Sequence, residues 1–342
     1  ITLKKLMIYG ANGYSAKLII EELLLRGIKP VLAGRNEREI SLLAKKYNCD
    51  YSIFELVDDD IIDNSLSEID TLLNCAGPFR YTAKELIESC IRTETNYLDI
   101  TGEVPVFHFA FSMDKKAREK GIIIMPGVGF DIIPTDCLAK RLSEKMPDAL
   151  NLKLGFLNKR GKISRGTWLT TLEFLGGTGL IRREGKVISS GIGKYSVRFK
   201  KKNLTFYGLS IPWGDVYTSY YSTKIPNFEV YLGVPFLVYQ LCKILIPLLK
   251  LFHIPFIKRL ATYFIRKNFT GPDKTQRDST KTFLWGRVEN TKGEIIEELY
   301  RVMEGYNLTA IGAVECAARV LNNLVQPGTY TPSMAFGGDF LD

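Results

Sequence analysis

The chain has 342 residues, 46% of them apolar, and a formal net charge of +9. That length accommodates two cored domains or one large one. Its six cysteines are scattered without a C-x-x-C pair and it has two histidines. A disulfide framework, a structural zinc site, a histidine metal centre and a Ser-His-Asp triad are therefore not expected, and no metal is assigned. A reducing, cytoplasmic compartment fits that cysteine usage.

Leu6–Tyr9 reads as a short apolar strand running into Gly10-x-x-Gly13-x-x-Ala16 and then a helical pattern through Leu18, Ile19, Leu23 and Leu24. In that context Gly10 makes the tight turn, and Gly13 lets the backbone approach a pyrophosphate. Ala16 is small enough for the helix to pack on the strand. Asn12, Tyr14 and Ser15 join Gly10 and Gly13 as candidate cofactor-binding residues, with the phosphates resting on the helix N-terminus. A merely structural glycine turn is the alternative.

The next apolar run, 30–33, leads into Gly34-Arg35-Asn36. An NAD enzyme usually carries Asp or Glu at this point, whereas Arg accommodates the 2′-phosphate of NADP. Arg35 and Asn36 are accordingly assigned to the cofactor, and NADP is the expected one. The alternative for Arg35 is a solvated cation at a strand end.

Strand-like runs follow at 51–56, 71–74, 97–100 and 122–125, separated by helical patterns at 38–47, 83–92 and 106–119. This alternation predicts an α/β fold, a Rossmann-type doubly wound parallel sheet, over 1–146. The loops after its later strands should line the cofactor crevice: Asn74, Cys75, Ala76, Gly77 and Pro78, then Gly102, then Gly127. Asp99 and Asp131 are the candidate catalytic groups. Their competing roles are loop anchor for Asp99 and helix cap for Asp131. Two Tyr-x-x-x-Lys matches, Tyr220/Lys224 and Tyr239/Lys243, read as chance.

Composition changes after residue 146. Residues 1–150 carry 19 Lys and Arg against 23 Asp and Glu, whereas 151–342 carry 27 against 14. The basic clusters have no nucleic-acid recognition motif beside them, so anionic headgroups or an acidic substrate are preferred to nucleic acid. Strand-like runs at 152–157, 187–189, 195–206 and 282–302, a helix at 167–174 and a Gly176–Gly179 loop predict a second α+β domain over 147–304 with a largely antiparallel sheet. A small-faced helix at 309–323 should return to the first domain, giving a third segment over 305–342.

Residues 230–257 form a very apolar stretch broken by Pro235, Lys243, Pro247, Lys250 and Pro255, with no uncharged run longer than 13 residues. That is too short to span a bilayer. The stretch is expected to be helical, and three readings stay open. It is a buried hairpin or homodimer interface, a peripheral contact with anionic membrane over 230–267, or a lid on an apolar pocket.

The motifs 9–16, 32–36, 73–79, 96–103 and 127–136, with 165–167, 211–215, 222–227 and 330–337 in the second half, resemble the saccharopine dehydrogenase-like oxidoreductases. The branch is the one that includes bacterial trans-acting enoyl reductases. The resemblance implies NADP-dependent redox chemistry and, for some members, a lipid setting. It does not imply saccharopine as substrate, since no cluster for an amino dicarboxylate is evident. The expected activity is hydride transfer between NADPH and an apolar or lipid-linked substrate such as an enoyl or keto compound. The alternatives are a non-catalytic NADP-binding sensor or membrane-associated scaffold and, less favoured, a true saccharopine dehydrogenase.

Overall fold

The computed structural model describes residues 4–159, 161–175, 178–201, 204–246, 248, 251 and 254–342. The expected Gly176-Gly177 pair, Arg160, Lys202, Pro247 and Lys250 lie outside them.

The first elements alternate strand and helix: β1 (Leu6–Tyr9), α1 (Tyr14–Leu25), β2 (Val31–Gly34), α2 (Glu37–Tyr47), β3 (Tyr51–Ile53) and α3 (Asp59–Leu66). Then come β4 (Thr71–Asn74), α4 (Ala83–Thr93), β5 (Asn96–Asp99), α5 (Val104–Ser112), α6 (Asp114–Lys120) and β6 (Ile123–Met125). Four more elements follow: α7 (Ile133–Lys145), β7 (Ala149–Lys159), α8 (Arg165–Leu175) and the hairpin of β8 (Gly179–Arg183) and β9 (Lys186–Ser190). After it come β10 (Ser196–Lys201), β11 (Leu204–Ser210), α9 (Asp215–Thr223) and β12 (Asn227–Val234). The helices α10 (Phe236–Leu245), α11 (Pro255–Asn268) and α12 (Lys274–Ser279) precede β13 (Lys281–Asn290) and β14 (Ile295–Val302). The chain closes with α13 (Gly305–Leu321), β15 (Gly328–Thr329) and α14 (Pro332–Phe336).

Two compact units result. One comprises residues 1–133 with 305–335, the other 134–304 with 336–342. The first holds a parallel seven-stranded sheet in the order β15-β6-β5-β4-β1-β2-β3. Strand order reverses between β1 and β4, the point at which doubly wound sheets bind ligands. The strands are short and apolar because both faces are covered: every residue of β1 and β4 is buried. α13 packs on α1 through small side chains, among them the buried Ala310, Ala313 and Ala317.

The second unit is built on an eight-stranded mixed sheet. Its main path is β10-β11-β12-β7-β13-β14, with the β8–β9 hairpin branching from β12. Among the described residues β12 and β7 run parallel and the other pairs antiparallel. Its aromatic core gathers Phe199, Phe206, Tyr231 and Trp285, and the Phe199 and Trp285 rings lie 5.4 Å apart. The Trp285 indole N–H, the polar end of the largest buried side chain, donates to Glu297 at 2.9 Å.

Three expectations change. The 106–119 helix is two helices meeting at Met113, and α3 was not foreseen. The apolar stretch is not helical from its start: residues 230–234 are the end of β12, in the interior of the second sheet. A buried strand and a buried helix are both continuous apolar runs, so periodicity does not separate them.

Candidate active site

The site is built at the carboxyl ends of β1, β4, β5 and β6. β1 and β2 lead into a tight turn in which the N–H groups of Gly10 and Ala11 both donate to the Ala33 carbonyl, at 2.9 and 3.1 Å. Gly10 has φ +78°, and a Cβ there would come within 2.8 Å of the Ala76 backbone. Only glycine fits both demands. Gly13 differs: its φ is −65° and a Cβ would meet the Gly10 carbonyl at 3.2 Å. Its smallness therefore serves the approach of something outside the turn rather than the turn itself. Tyr14 and Ser15 open α1, whose N-terminus has no side-chain cap. A helix N-terminus entered through a glycine turn is the kind of place where a phosphate group rests.

Asn12 reaches across to α2, where its amide donates to Glu39 at 2.5 Å. Arg35 follows β2 directly and is exposed. Its charge is felt at the buried Tyr9 hydroxyl, whose pKa burial raises to about 12 and Arg35 partly restrains. Asn36, assigned to the cofactor, is instead occupied as the cap of α2, where it accepts from the Glu39 N–H at 3.2 Å.

The loop after β4 lies against the glycine turn. The Cys75 N–H donates to Tyr9 O at 2.8 Å, and the Gly77–Pro78 peptide is cis. Asn74, expected on the crevice surface, is fully buried beneath it. Its carbonyl accepts from the Ala76 N–H at 2.9 Å, and its amide donates to Thr82 and Tyr97 at 3.1 and 3.2 Å. Asn74 shapes the loop from below while Ala76 and Gly77 form its upper side. Burial, with the charge of Asp99 second, pushes the Cys75 thiol far up, so it is no nucleophile at neutral pH.

Three carboxylates converge beyond these loops. Asp99 is fully buried at the end of β5; one oxygen accepts from the N–H groups of Thr101 and Gly127 at 3.0 and 2.9 Å, the other from Tyr97 Oη at 2.8 Å. Burial raises it to about 6 despite those donors. This geometry is that of an anchor joining the loops after β5 and β6. Gly127, with φ +78° and Ile132 within 2.7 Å of any Cβ, is packed into that joint.

Glu103 was not foreseen. It is fully buried and accepts from the backbone N–H groups of Phe79 and Arg80, at 2.8 and 3.1 Å, with the Arg80 Nε at 3.4 Å. It thereby ties the loop after β4 to the loop after β5. The available signal was its place four residues past Asp99, in step with Thr101, whose hydroxyl accepts the Glu103 N–H at 3.0 Å.

Asp131 is half-buried, two residues before α7 begins. Its carboxylate lies directly over Gly102, where a Cβ would come within 2.8 Å of Oδ2. Burial first and the Glu103 charge second push its pKa up to about 7. A carboxyl group in this state gives up or takes a proton near neutrality.

A family model described as the saccharopine dehydrogenase NADP binding domain matches residues 6–125, the span that carries the glycine turn, Arg35 and the loops after β4 and β5. Over that span the chain is similar to the saccharopine dehydrogenase-like oxidoreductases. A human saccharopine dehydrogenase-like oxidoreductase is 24% identical over 203 residues, which are 52% of this chain and 47% of that protein. A trans-acting enoyl reductase of Mycobacterium leprae is 29% identical over 139 residues, 38% of this chain and 33% of that one. A lipid droplet localized protein of Caenorhabditis elegans aligns with 97% of this chain and 93% of its own length at 22% identity. The chain thus spans about half the length of the mammalian relatives it matches. Among solved structures, apo saccharopine dehydrogenase (L-Glu forming) from Saccharomyces cerevisiae superposes with a TM-score of 0.67 at 14% identity, covering 99% of this chain and 96% of that one. At that identity the likeness is one of fold. A nicotinamide dinucleotide is the cofactor that this NADP-binding-domain-like first unit takes: the Gly10 turn leading into the start of α1 fits its pyrophosphate.

Proposed function

We propose that the protein is an NADP-dependent oxidoreductase that reduces an apolar, lipid-linked enoyl or keto compound. The observation that carries this reading is the pairing of a pyrophosphate cradle at Gly10–Ser15 with Arg35 at the end of β2. A guanidinium there meets a 2′-phosphate through parallel hydrogen bonds and stacks on an adenine, whereas it offers a ribose hydroxyl little. The nicotinamide, when bound, supplies the hydride. The chain supplies position and protons. Asn74 and Glu103 fix the loop of Ala76–Pro78, Asp99 fixes the loop of Gly127, and Asp131 holds a proton at its carboxyl group near pH 7 for delivery to the reduced substrate. Asp99 then acts as a positioning residue, and Asp131 is the proton donor. The names of the enoyl reductase and lipid droplet relatives support an apolar substrate.

The test is to mix the purified protein with NADPH and a panel of enoyl, keto and imino acceptors of differing chain length while following cofactor absorbance. Oxidation with an apolar enoyl or keto acceptor is expected. Tight NADPH binding without turnover on any acceptor would favour the non-catalytic sensor.

A further inference from the structure

Among the described residues, thirteen of the exposed large apolar side chains lie in one short stretch, 236–264. They are not scattered around their helices. In α10, Leu237, Leu241 and Ile244 recur at i, i+4 and i+7, with Leu237 80% and Ile244 72% exposed. Tyr239 and Cys242 occupy the opposite, half-buried side. In α11, Phe256, Leu260, Tyr263 and Phe264 recur at i, i+4, i+7 and i+8, with Phe256 73% exposed, while Ile265 turns inward. Both helices therefore present their apolar stripes outward, the reverse of a surface helix packed on a core.

Neither helix hangs loose. The Tyr207 ring of β11 packs on Phe236 and Tyr239 with centroids 5.0 and 5.3 Å apart, and Tyr239 Oη bonds Ser196 Oγ at 3.1 Å. The far end of α11 is held to α8: Trp168 packs on Phe269 at 5.3 Å, and Arg165 Nε donates to the Phe269 carbonyl at 2.9 Å.

Charge identifies the occupant. Between Val230 and Pro272 the chain has no Asp or Glu, yet it carries Lys243, Lys250, Lys258, Arg259, Arg266 and Lys267. In α11 the exposed Arg259 and Arg266 accompany the apolar stripe and Lys267 ends it. Two copies of such a surface laid together would set like charges against one another, the exposed Arg259, Arg266 and Lys267 of each copy among them. An anionic interface meets the same arrangement favourably: the apolar stripes enter the acyl boundary, and the long basic side chains reach back to the headgroups. No helix among the described residues is long and apolar enough to cross a membrane, so docking is peripheral.

We propose that α10 and α11 form a two-helix platform that seats the second unit on an anionic phospholipid surface. This inference stands apart from the redox reading, since both helices belong to the second unit and the glycine turn to the first.

The test is flotation of the full chain with phosphatidylcholine vesicles and with phosphatidylcholine–phosphatidylglycerol vesicles, at low and high salt, beside its mass by light scattering. Flotation is expected with the anionic vesicles alone, weakened by salt. The variant Leu237→Glu/Leu241→Glu/Ile244→Glu and the variant Lys258→Glu/Arg259→Glu should each lose about tenfold or more in vesicle affinity. NADPH affinity and the circular dichroism spectrum, unchanged in both, show that the variants are folded and keep the cofactor reading separate. Equal flotation on neutral vesicles, no flotation at all, or full flotation by both variants overturns the proposal. So does a dimer that the stripe variant converts to monomer without altering flotation.

Discussion

At the scale of single residues the two glycines of the first turn separate cleanly. Gly10 is demanded by conformation and by the Ala76 backbone 2.8 Å away, Gly13 by neither. Gly10→Ala is expected to destabilise the protein by roughly 2–4 kcal/mol and to abolish NADPH binding, while Gly13→Ala leaves stability within about 1 kcal/mol of the parent. Chemical denaturation of both proteins decides it, and equal stability losses would refute the distinction. Arg35 is exposed, so Arg35→Asp should leave stability within about 1 kcal/mol of the parent. It should weaken NADPH binding by about 1.5–3 kcal/mol and bring NADH towards parity; titration of both cofactors measures this, and an unchanged preference would remove Arg35 from the site. Asp131→Asn keeps the shape and removes the titrating proton. Turnover should fall by about a hundredfold or more with NADPH affinity retained. The sign for stability follows from a native pKa near 7 against an ordinary 3.8. Between about pH 4 and 7 the native state holds more protons than the unfolded one, so the native protein loses stability as pH rises through that window. Asp131→Asn should therefore gain roughly 1–3 kcal/mol on its parent between pH 5 and pH 8 in denaturant titrations. A constant difference would mean that Asp131 does not titrate there.

At the scale of elements, the sequence was most legible where a local signal and a tertiary demand coincide. β1, the glycine turn and α1 announce themselves because turn, anion site and packing all need small residues at fixed spacing. The strands of the first sheet are apolar throughout because helices cover both faces, and their bounds follow closely. Legibility fails where an element owes its form to neighbours distant in sequence. The end of β12 is extended because β7 lies beside it in register, Val230 against Leu154, and nothing within 230–234 distinguishes it from the helix that follows. α3 is absent from the helical patterns read in the sequence, although Asp58 is its cap, accepting from the N–H groups of Asp60 and Ile61. Glu103 was missed for a related reason: a buried carboxylate declares itself through the backbone N–H groups it accepts from, and those belong to another loop. α13 offers a test at this scale. A Cβ at Gly312 would come within 2.5 Å of Ile133, so Gly312→Val should cost roughly 2–4 kcal/mol. Thermal unfolding measures it, and a cost below about 1 kcal/mol would show that α13 shifts to make room.

For the molecule as a whole, the first unit is discontinuous in sequence, closed by residues 305–335, which follow the long 134–304 stretch of the second unit. Ending the chain at Glu304 would strip α13 from α1 and β15 from β6. At about 1.5–3 kcal/mol for each large apolar side chain uncovered, the loss exceeds what a domain of this size holds in reserve. The shortened chain should bind no NADPH and lose its cooperative thermal transition in the first unit; retention of both would show that residues 1–133 fold alone.

The same discontinuity sets a timetable for synthesis. β15 and β6 pair across about two hundred positions, Gly328 beside Ile123. On a ribosome adding ~5–20 residues per second, the amino-terminal half emerges roughly 10–40 s before the helix and strand that complete it. Throughout that interval the apolar flank of α1 and the open edge of β6 face water or a chaperone. The second unit has its main stretch, 134–304, in one piece and waits only for the seven residues 336–342. The burden of assisted folding therefore falls on the half of the protein whose sequence is easiest to recognise.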